Sequence, residues 1–310
     1  MEDGPADSPR SSATPCGKSI FDRQNTSRAL RLLSAQRRLY SDAKAIHSLR
    51  MLVVFCGAGL SILATFVFKD ARVAIGLTAA VLLLIIGILG ANWEKRRSQD
   101  AAAVQEEFDT QVFILPWNEM AADHPSPTLI AAAERRYSGE SLKDWYPDTS
   151  AVARPLDVLI CQRSNVGWGA SLHSLWATIL SFALTLIIAS ATALGIFLNM
   201  PIAEALATIF APLIGPAREL IDMIRGNIEN SRSNSTLEGK ILNAWRRGLE
   251  NPESVTETDC RRIQDRILSS RQLNLSVPNW LHNKRRESLE YSMQSSAKQL
   301  IEEARDHGLA

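Results

Sequence analysis

The chain has 310 residues, of which 46% are hydrophobic and 22% charged, values close to those of ordinary globular proteins. A formal net charge of +1 argues against a protein that binds DNA or RNA, because phosphate backbones select a clear basic excess. Cys16, Cys56, Cys161 and Cys260 form no CxxC pair, so we expect neither a disulfide framework nor a zinc site. No apolar run precedes residue 51, which predicts no cleaved signal peptide.

The first 50 residues divide into a tail and a helix. Residues 1–19 are rich in Ser, Pro, Gly and Asp, a composition that predicts a disordered tail. Between residues 20 and 50, apolar side chains recur at helical spacing: Leu32, Leu33, Leu39, Tyr40, Ala43, Ile46 and Leu49. We expect a cytoplasmic helix here that continues into the apolar segment that follows.

Residues 51–91 predict a transmembrane hairpin. Residues 51–68 carry no charge, and as a helix they extend roughly 27 Å, close to the thickness of a hydrocarbon core. Residues 73–91 are equally free of charge, and only Lys69, Asp70, Ala71 and Arg72 separate the two segments. That short polar link predicts a hairpin tip.

Residues 92–174 are predicted to be a cytoplasmic helix and a motif-rich segment. Residues 92–113 continue the second span as a polar helix, whereas five prolines break the region after residue 113 into short pieces. Trp117, Trp145, Tyr146 and Trp168 supply apolar anchors, which favours an ordered segment over a disordered one.

This segment also contains the main candidates for ligand contact. Clusters of aromatic, acidic, amide and basic side chains can stack on a base and bind a sugar or phosphate, and they can equally act as helix caps and packing anchors. Both interpretations fit the residues concerned: Trp117, Asn118, Asp144, Trp145, Tyr146, Asp148, Gln162, Arg163 and Asn165.

Residues 175–215 predict a second hairpin. Residues 175–198 form the longest apolar run, with Trp176 where an interfacial aromatic is expected, whereas residues 201–215 are shorter and contain Pro212. Glu204 faces a pore, a cavity or a partner by default, or lies at the mouth because it follows the turn so closely. Hydroxyl groups on the third span would line a path or hold helices together: Ser181, Thr185, Ser190 and Thr192.

The distribution of positive charge predicts four spans. Within about 20 residues of the span ends, one face of the membrane receives 13 Lys and Arg, and the other receives only Lys69 and Arg72. Cytoplasmic loops carry the excess of Lys and Arg, so both termini and the middle segment are expected in the cytoplasm.

Residues 216–310 are predicted to form a cytoplasmic helical domain, with helices near 216–230, 236–250, 255–272 and 278–305. Arg261, Gln264 and Asp265 belong to a dense polar stretch whose default interpretation is a solvated helix face with i,i+4 ion pairs. As a second interpretation, these three side chains join the ligand-contacting set.

Sequence signatures of catalysis are missing. The chain has no phosphate-binding loop, HExxH or GxSxG motif, and its five His are scattered. We therefore expect no enzymatic activity, no metal and no cofactor. Asp144 and Asp148, four residues apart, remain a weak alternative as an acid and base pair, because Pro147 disturbs a regular helical face.

A series of short motifs resembles one known family. The series is Arg23-Gln24-Asn25, the stretch Leu32 to Tyr40, Leu115-Pro116-Trp117-Asn118, Asp144-Trp145-Tyr146-Pro147-Asp148, Cys161-Gln162-Arg163-Ser164-Asn165 and Cys260-Arg261-Arg262-Ile263-Gln264-Asp265. In their order around two hairpins, these motifs are similar to those of the bacterial SMODS-associated four-transmembrane effector family, from about residue 20 to residue 308.

The resemblance implies an all-α membrane protein with four transmembrane helices in two hairpins and helical cytoplasmic extensions. It further implies an inner-membrane effector of an anti-phage system that senses a cyclic oligonucleotide, forms a homo-oligomer and permeabilises the membrane. The expected partners are membrane lipid and the cyclic oligonucleotide, with no DNA or RNA. A membrane-anchored adaptor without pore activity is the alternative.

Overall fold

A computed structural model describes residues 18–273 and 277–310, and within these ranges the protein is helical and contains no strand. The all-helical expectation is thus confirmed for the described residues. The helices are α1 (Ile20–Gln24), α2 (Ser27–Val67), α3 (Arg72–Phe113), α4 (Pro127–Arg135), α5 (Leu156–Phe197), α6 (Ile202–Ala205), α7 (Ala211–Glu250), α8 (Glu257–Gln272) and α9 (Asn279–Asp306). Residues 1–17 of the predicted tail and the side chain of Trp168 lie outside the described part.

Three helices dominate the architecture. α2, α3 and α5 have 41, 42 and 42 residues, so each is far longer than a bilayer core requires. α2 begins where the Thr26 hydroxyl accepts a hydrogen bond from the Ala29 amide, and it then continues without a break through the first apolar segment. Each long helix therefore has one apolar end and one polar end.

The apolar ends have the properties of membrane spans. Among the described residues, three helices are long and apolar enough to cross a bilayer: Ser27–Val67, Lys69–Phe113 and Leu156–Phe197. Large apolar side chains such as Leu60, Leu82 and Phe197 are exposed on their surfaces. Exposure on this scale is unfavourable in water and favourable in a hydrocarbon layer. The fourth predicted segment is not among these three helices.

That fourth segment nevertheless packs along the bundle. It consists of α6, a π-helical turn over Leu206–Phe210 and the start of α7. Its direction is parallel to α3, as shown by contacts of Gly76 with Ala207, Gly215 with Leu83, and Gly87 with Glu219. Pro212 has no N–H to complete the helical ladder, which accounts for irregular backbone just before it.

Close approach to α3 depends on Gly76. A Cβ atom at this position would lie 2.1 Å from the Ala207 carbonyl oxygen, well inside van der Waals contact. The obstacle is backbone, so no rotation of a side chain would relieve the clash. Glycine thus allows α3 and the fourth segment to touch near the hairpin tip.

The polar ends of the long helices pack into a second region, the polar core. α8 and α9 join the extensions of α2, α3, α5 and α7 around fully buried side chains that include Phe108, Phe113, Leu159 and Trp245. The loop between α4 and α5 is also ordered, because Tyr146 within it is buried between Phe108 and Phe113. The motif-rich segment is therefore integral to this core.

Candidate functional site

Two buried carboxylates of α3 form the centre of the polar core. Arg261 Nη2 donates to Glu106 Oε1 at 2.6 Å, and Arg271 Nη1 donates to Asp109 Oδ2 at 2.7 Å. Gln264 Nε2 donates to both carboxylates at 2.9 Å. α8 is thereby tied to α3 through two ion pairs and a shared amide.

Tyr146 attaches the motif-rich loop to the same centre. Its hydroxyl donates to Asp109 Oδ1 at 2.5 Å and accepts from Asn165 Nδ2 at 2.8 Å. The backbone of Tyr146 is also held, because the Gln24 side chain accepts from its amide and donates to its carbonyl. Gln24 and Tyr146 are 122 positions apart, so this contact joins the beginning of the chain to the loop before α5.

Burial and neighbouring charges change the pKa values of the ionisable groups in this network. Burial and the neighbouring Asp109 raise the pKa of the Glu106 carboxyl, which Arg261 and Arg271 partly counteract. Burial and Asp109 likewise raise the pKa of the Tyr146 phenol well above its usual range. Burial disfavours the charge on Arg271, but Asp109 and the surrounding acidic groups raise its pKa overall. Tyr146 therefore stays a neutral donor and Arg271 a cation.

Several residues predicted from the sequence meet here. Asn118 Nδ2 donates to Asp265 Oδ1 at 3.1 Å, and Asp265 accepts from Arg261 at 2.8 Å. Gln162 Nε2 donates to the Cys260 carbonyl at 2.7 Å. The structure therefore unites Asn118, Tyr146, Gln162, Asn165, Arg261, Gln264 and Asp265, and most of their polar atoms bind one another. The solvated-face interpretation of Arg261 and Gln264 is wrong, since both are buried against α3.

The remaining predicted contacts lie apart from this centre. Trp117 stacks on His124 with ring centres 4.2 Å apart, and Arg37 lies 5.1 Å from the ring centre of Trp145. Each of the other three residues binds a partner outside the network. Asp144 pairs with Asn25, Asp148 with Ser150, and Arg163 with Glu238. In this arrangement they act as caps and packing contacts. Asp144 and Asp148 each have their own partner.

A pocket of about 220 Å³ adjoins the network. Four helices form its walls: α2, α5, α7 and α8. The lining residues are Tyr40, Lys44, Asn165, Val166, Gly169, His173, Asn230, Asn234, Ile267, Ser270 and Arg271. Asn165 and Arg271 belong to both the pocket and the network, so events in the pocket act directly on the contacts of Asp109.

The lining of the pocket suits an anionic, hydrogen-bonding ligand. Lys44 and Arg271 supply positive charge, and Arg271 Nη2 is buried with no hydrogen-bond partner among the described residues. Ser270 of α8 donates to Asn230 and Asn234 of α7, and the three side chains form a hydrogen-bonded group in the pocket lining. Guanidinium and amide groups are the usual partners of phosphates and of base edges.

Sequence analysis missed most of these pocket residues. Asn227, Asn230 and Asn234 lie on one face of α7, and Asn227 Oδ1 accepts a hydrogen bond from His173 Nδ1 at 2.7 Å. Asn is a poor helix former, so its repetition at helical spacing was a signal that this face has a specific role. Glu106 and Asp109 were concealed in an ordinary polar helix.

A second buried ionic cluster lies where the apolar bundle meets the polar core. Arg50 of α2 donates to Glu94 of α3 at 2.8 Å and to Glu219 of α7. His47 Nδ1 lies 3.0 Å from Glu94 Oε1. The cluster connects three helices at the end of the apolar bundle that adjoins the polar core.

The polar groups proposed for the spans occupy different positions. Glu204 forms an ion pair with Arg72 at 2.6 Å, at the hairpin-tip end of the bundle. Ser181, Thr185, Ser190 and Thr192 lie on the exposed surface of α5. The hydroxyls of Ser181, Thr185 and Thr192 donate to carbonyls one turn earlier. Any path lined by these hydroxyls would therefore lie between subunits.

Apolar helices of membrane-spanning length, joined to a polar core, define a helical membrane protein. Residues 18–300 match the model of the SMODS-associating 4TM effector domain, and the chain belongs to this family. The resemblance noted in the sequence is confirmed. The chain is also similar to a probable CBASS effector molecule of Bacillus cereus (strain VD146), with 25% identity over 280 residues, 85% of this chain and 92% of the relative. No solved structure matches the chain.

Proposed function

We propose that this protein is an anti-phage effector of the bacterial inner membrane, which permeabilises the membrane when its cytoplasmic pocket binds a cyclic oligonucleotide. Membership of an effector family and similarity to a probable CBASS effector support the defence role. One structural observation carries the mechanism: three of the four helices that line the pocket, α2, α5 and α7, also extend into the apolar bundle. A ligand that moves α2, α5 and α7 relative to one another thus changes the bundle.

The size of the pocket indicates how a ligand would act. Its 220 Å³ is below the roughly 300–1,000 Å³ typical of sites that enclose small molecules. A cyclic oligonucleotide fits only after the helices separate, so it binds a widened state better than the present one. Such differential affinity is the physical requirement for a ligand to shift a conformational equilibrium.

The membrane end of the mechanism involves four spans and several subunits. The fourth segment runs beside α3 from the Arg72–Glu204 pair to the Arg50–Glu219 pair, which supports a full crossing with both termini in the cytoplasm. The outward-facing hydroxyls of α5 require neighbouring copies to form a path, so the active form is a homo-oligomer.

Dye release from liposomes tests the proposal. The purified full chain is reconstituted, and cyclic di- and trinucleotides are added, with a linear dinucleotide as the control ligand. We expect release with a cyclic ligand, and Lys44→Gln should raise the half-maximal concentration about tenfold, because a charged hydrogen bond contributes about 1.5–3 kcal/mol. Lys240→Gln, on an exposed face of α7, is the matched control. Retention of the dye with every nucleotide would contradict the proposal.

Topology is tested separately by labelling of introduced cysteines in spheroplasts with a membrane-impermeant maleimide. Asp70→Cys at the hairpin tip should react from outside, and Glu253→Cys after α7 should react only once the membrane is permeabilised. Reaction of Glu253→Cys from outside would indicate an odd number of spans. An adaptor, in contrast with a pore, would keep its activity when unrelated membrane helices replace the spans.

A further inference from the structure

One face of α3 changes from apolar to cationic as it leaves the membrane bundle. Leu82, Ile86 and Leu89 are exposed at helical spacing, and Trp93 follows on the same face with 68% of its surface exposed. Arg96 and Arg97 come one turn later and are also exposed. An aromatic ring between an apolar stripe and basic groups marks the boundary between acyl chains and headgroups.

A groove of about 530 Å³ lies at this boundary, between α2 and α3. Ile46 of α2 forms one side, and the rest of the lining comes from α3: Trp93, Arg96, Arg97, Gln99 and Asp100. Its floor is apolar at the end near the span and charged at the end near the cytoplasm. The groove lies apart from the pocket between α2, α5, α7 and α8, with which it shares no residue.

The side chains that line the groove carry a net positive charge. Among the described residues Arg96 makes no ion pair, and Arg97 Nη1 is 3.6 Å from Asp100 Oδ2, too far for a hydrogen bond. Burial raises the pKa of the Asp100 carboxyl, which Arg97 partly counteracts. Glu94, the nearest other acid of α3, is buried and pairs with Arg50 and His47. Two guanidinium groups thus face one carboxyl.

We propose that this groove binds the phosphate headgroup of an anionic phospholipid from the cytoplasmic leaflet. Arg96 and Arg97 would hold the phosphate, and Trp93 would lie at the level of the glycerol esters. The acyl chains would follow Leu89 and Ile86 toward the bilayer centre. A soluble phosphate compound would use only the cationic end, whereas a lipid also uses the apolar end that continues into the span.

The site differs from a general attraction of basic residues to membranes because its geometry is specific. Each basic residue near an anionic surface strengthens binding about fivefold, so two contribute roughly 25-fold. The paired arginines should discriminate by charge, and Trp93 with Ile46 should discriminate lipid from free phosphate.

Native mass spectrometry of the full chain in mixed micelles provides the test. The probes are phosphatidylglycerol and phosphatidylcholine with the same acyl chains, and glycerol phosphate is the soluble competitor. We expect retained phosphatidylglycerol in excess over phosphatidylcholine, a loss of about 25-fold in that preference for Arg96→Gln/Arg97→Gln, and retention of the preference in Arg96→Lys/Arg97→Lys. Arg246→Gln/Arg247→Gln, an exposed adjacent pair on α7, is the matched control and should behave as the parent.

Three outcomes would overturn the proposal. Equal retention of the two lipids would show that no anionic headgroup is selected. An unchanged preference in the Arg96→Gln/Arg97→Gln protein would place lipid binding elsewhere. Displacement of phosphatidylglycerol by equimolar glycerol phosphate would assign the groove to a soluble phosphate compound. Thermal unfolding of each variant, expected at the temperature of the parent because both arginines are exposed, excludes misfolding as the cause.

Discussion

Arg50 on α2 donates a hydrogen bond to Glu219 on α7, 169 positions later in the chain. Both side chains are almost fully buried, at 7% and 6% exposure, where the apolar spans meet the polar core. Glu94 of α3 accepts from the same guanidinium at 2.8 Å. One arginine thus joins the first hairpin to the fourth segment at a level that any opening of the bundle must disturb.

Replacing Glu219 by Gln should favour the open state under the proposed mechanism. The substitution keeps the shape of the side chain but removes its charge, while Arg50 retains Glu94. Loss of a charged hydrogen bond costs about 1.5–3 kcal/mol, which corresponds to at least about tenfold more open protein. We expect dye leakage without ligand, and Glu229→Gln on an exposed face of α7 should stay tight. Equal leakage from the two variants would exclude this ion pair from gating.

Replacing Arg261 by Ala should destabilise the polar core. The Glu106 side chain is only 2% exposed and would lose its nearest cation, and breaking a buried ion pair costs about 3–5 kcal/mol. Arg262→Ala next to it is the control, because the Arg262 side chain is 77% exposed and should contribute less than about 1 kcal/mol. Thermal unfolding in one detergent measures both. Similar unfolding temperatures for the two variants would show that the network contributes little.

Replacing Gly76 by Ala should separate α3 from the fourth segment. The new methyl group would meet the Ala207 carbonyl oxygen, and overpacking of this kind costs about 1–3 kcal/mol. Gly59→Ala is the matched control, because a Cβ at Gly59 meets no atom within 4 Å and Ala is the better helix former. Loss of thermal stability at position 76 and not at position 59 would support the close packing. Unchanged stability in both would contradict it.

Two cysteines of the polar core should resist alkylation. Burial raises the pKa of the Cys260 thiol to about 12 and also raises the pKa of Cys161, so few thiolates exist at pH 8. We expect a small maleimide to leave Cys161 and Cys260 unmodified in detergent until the protein is unfolded. Peptide mass spectrometry distinguishes the sites. Rapid labelling of Cys260 in folded protein would indicate that α8 opens readily.

Sequence analysis identified residues of the network but not their partners within the protein. Tyr146, Asn165, Arg261 and Gln264 were interpreted either as ligand contacts or as structural residues, and each binds another residue of the core. The sequence therefore predicted that these residues make ordering contacts, because mixed aromatic and polar clusters in a proline-rich segment require them. The partners in those contacts could not be predicted, since a guanidinium binds a carboxylate of the protein as well as a phosphate.

The pocket and the ionic cluster were hidden for a different reason. Tyr40, Lys44, Asn234 and Arg271 come from three helices, and nothing in their local sequences points to a shared cavity. Arg50 had been counted only among the basic residues that orient the spans. Burial converts it into the link between α2, α3 and α7.

The sequence by itself determined the helical class, three apolar helices of membrane-spanning length and the family, because hydrophobicity and motif order are properties of contiguous residues. Only the tertiary structure decided which charges are paired, where the fourth segment packs and which residues enclose a pocket. Those features depend on how long helices are rotated and shifted against one another. A rotation of one residue on α3 would turn Glu106 and Asp109 away from α8, although the sequence would be the same.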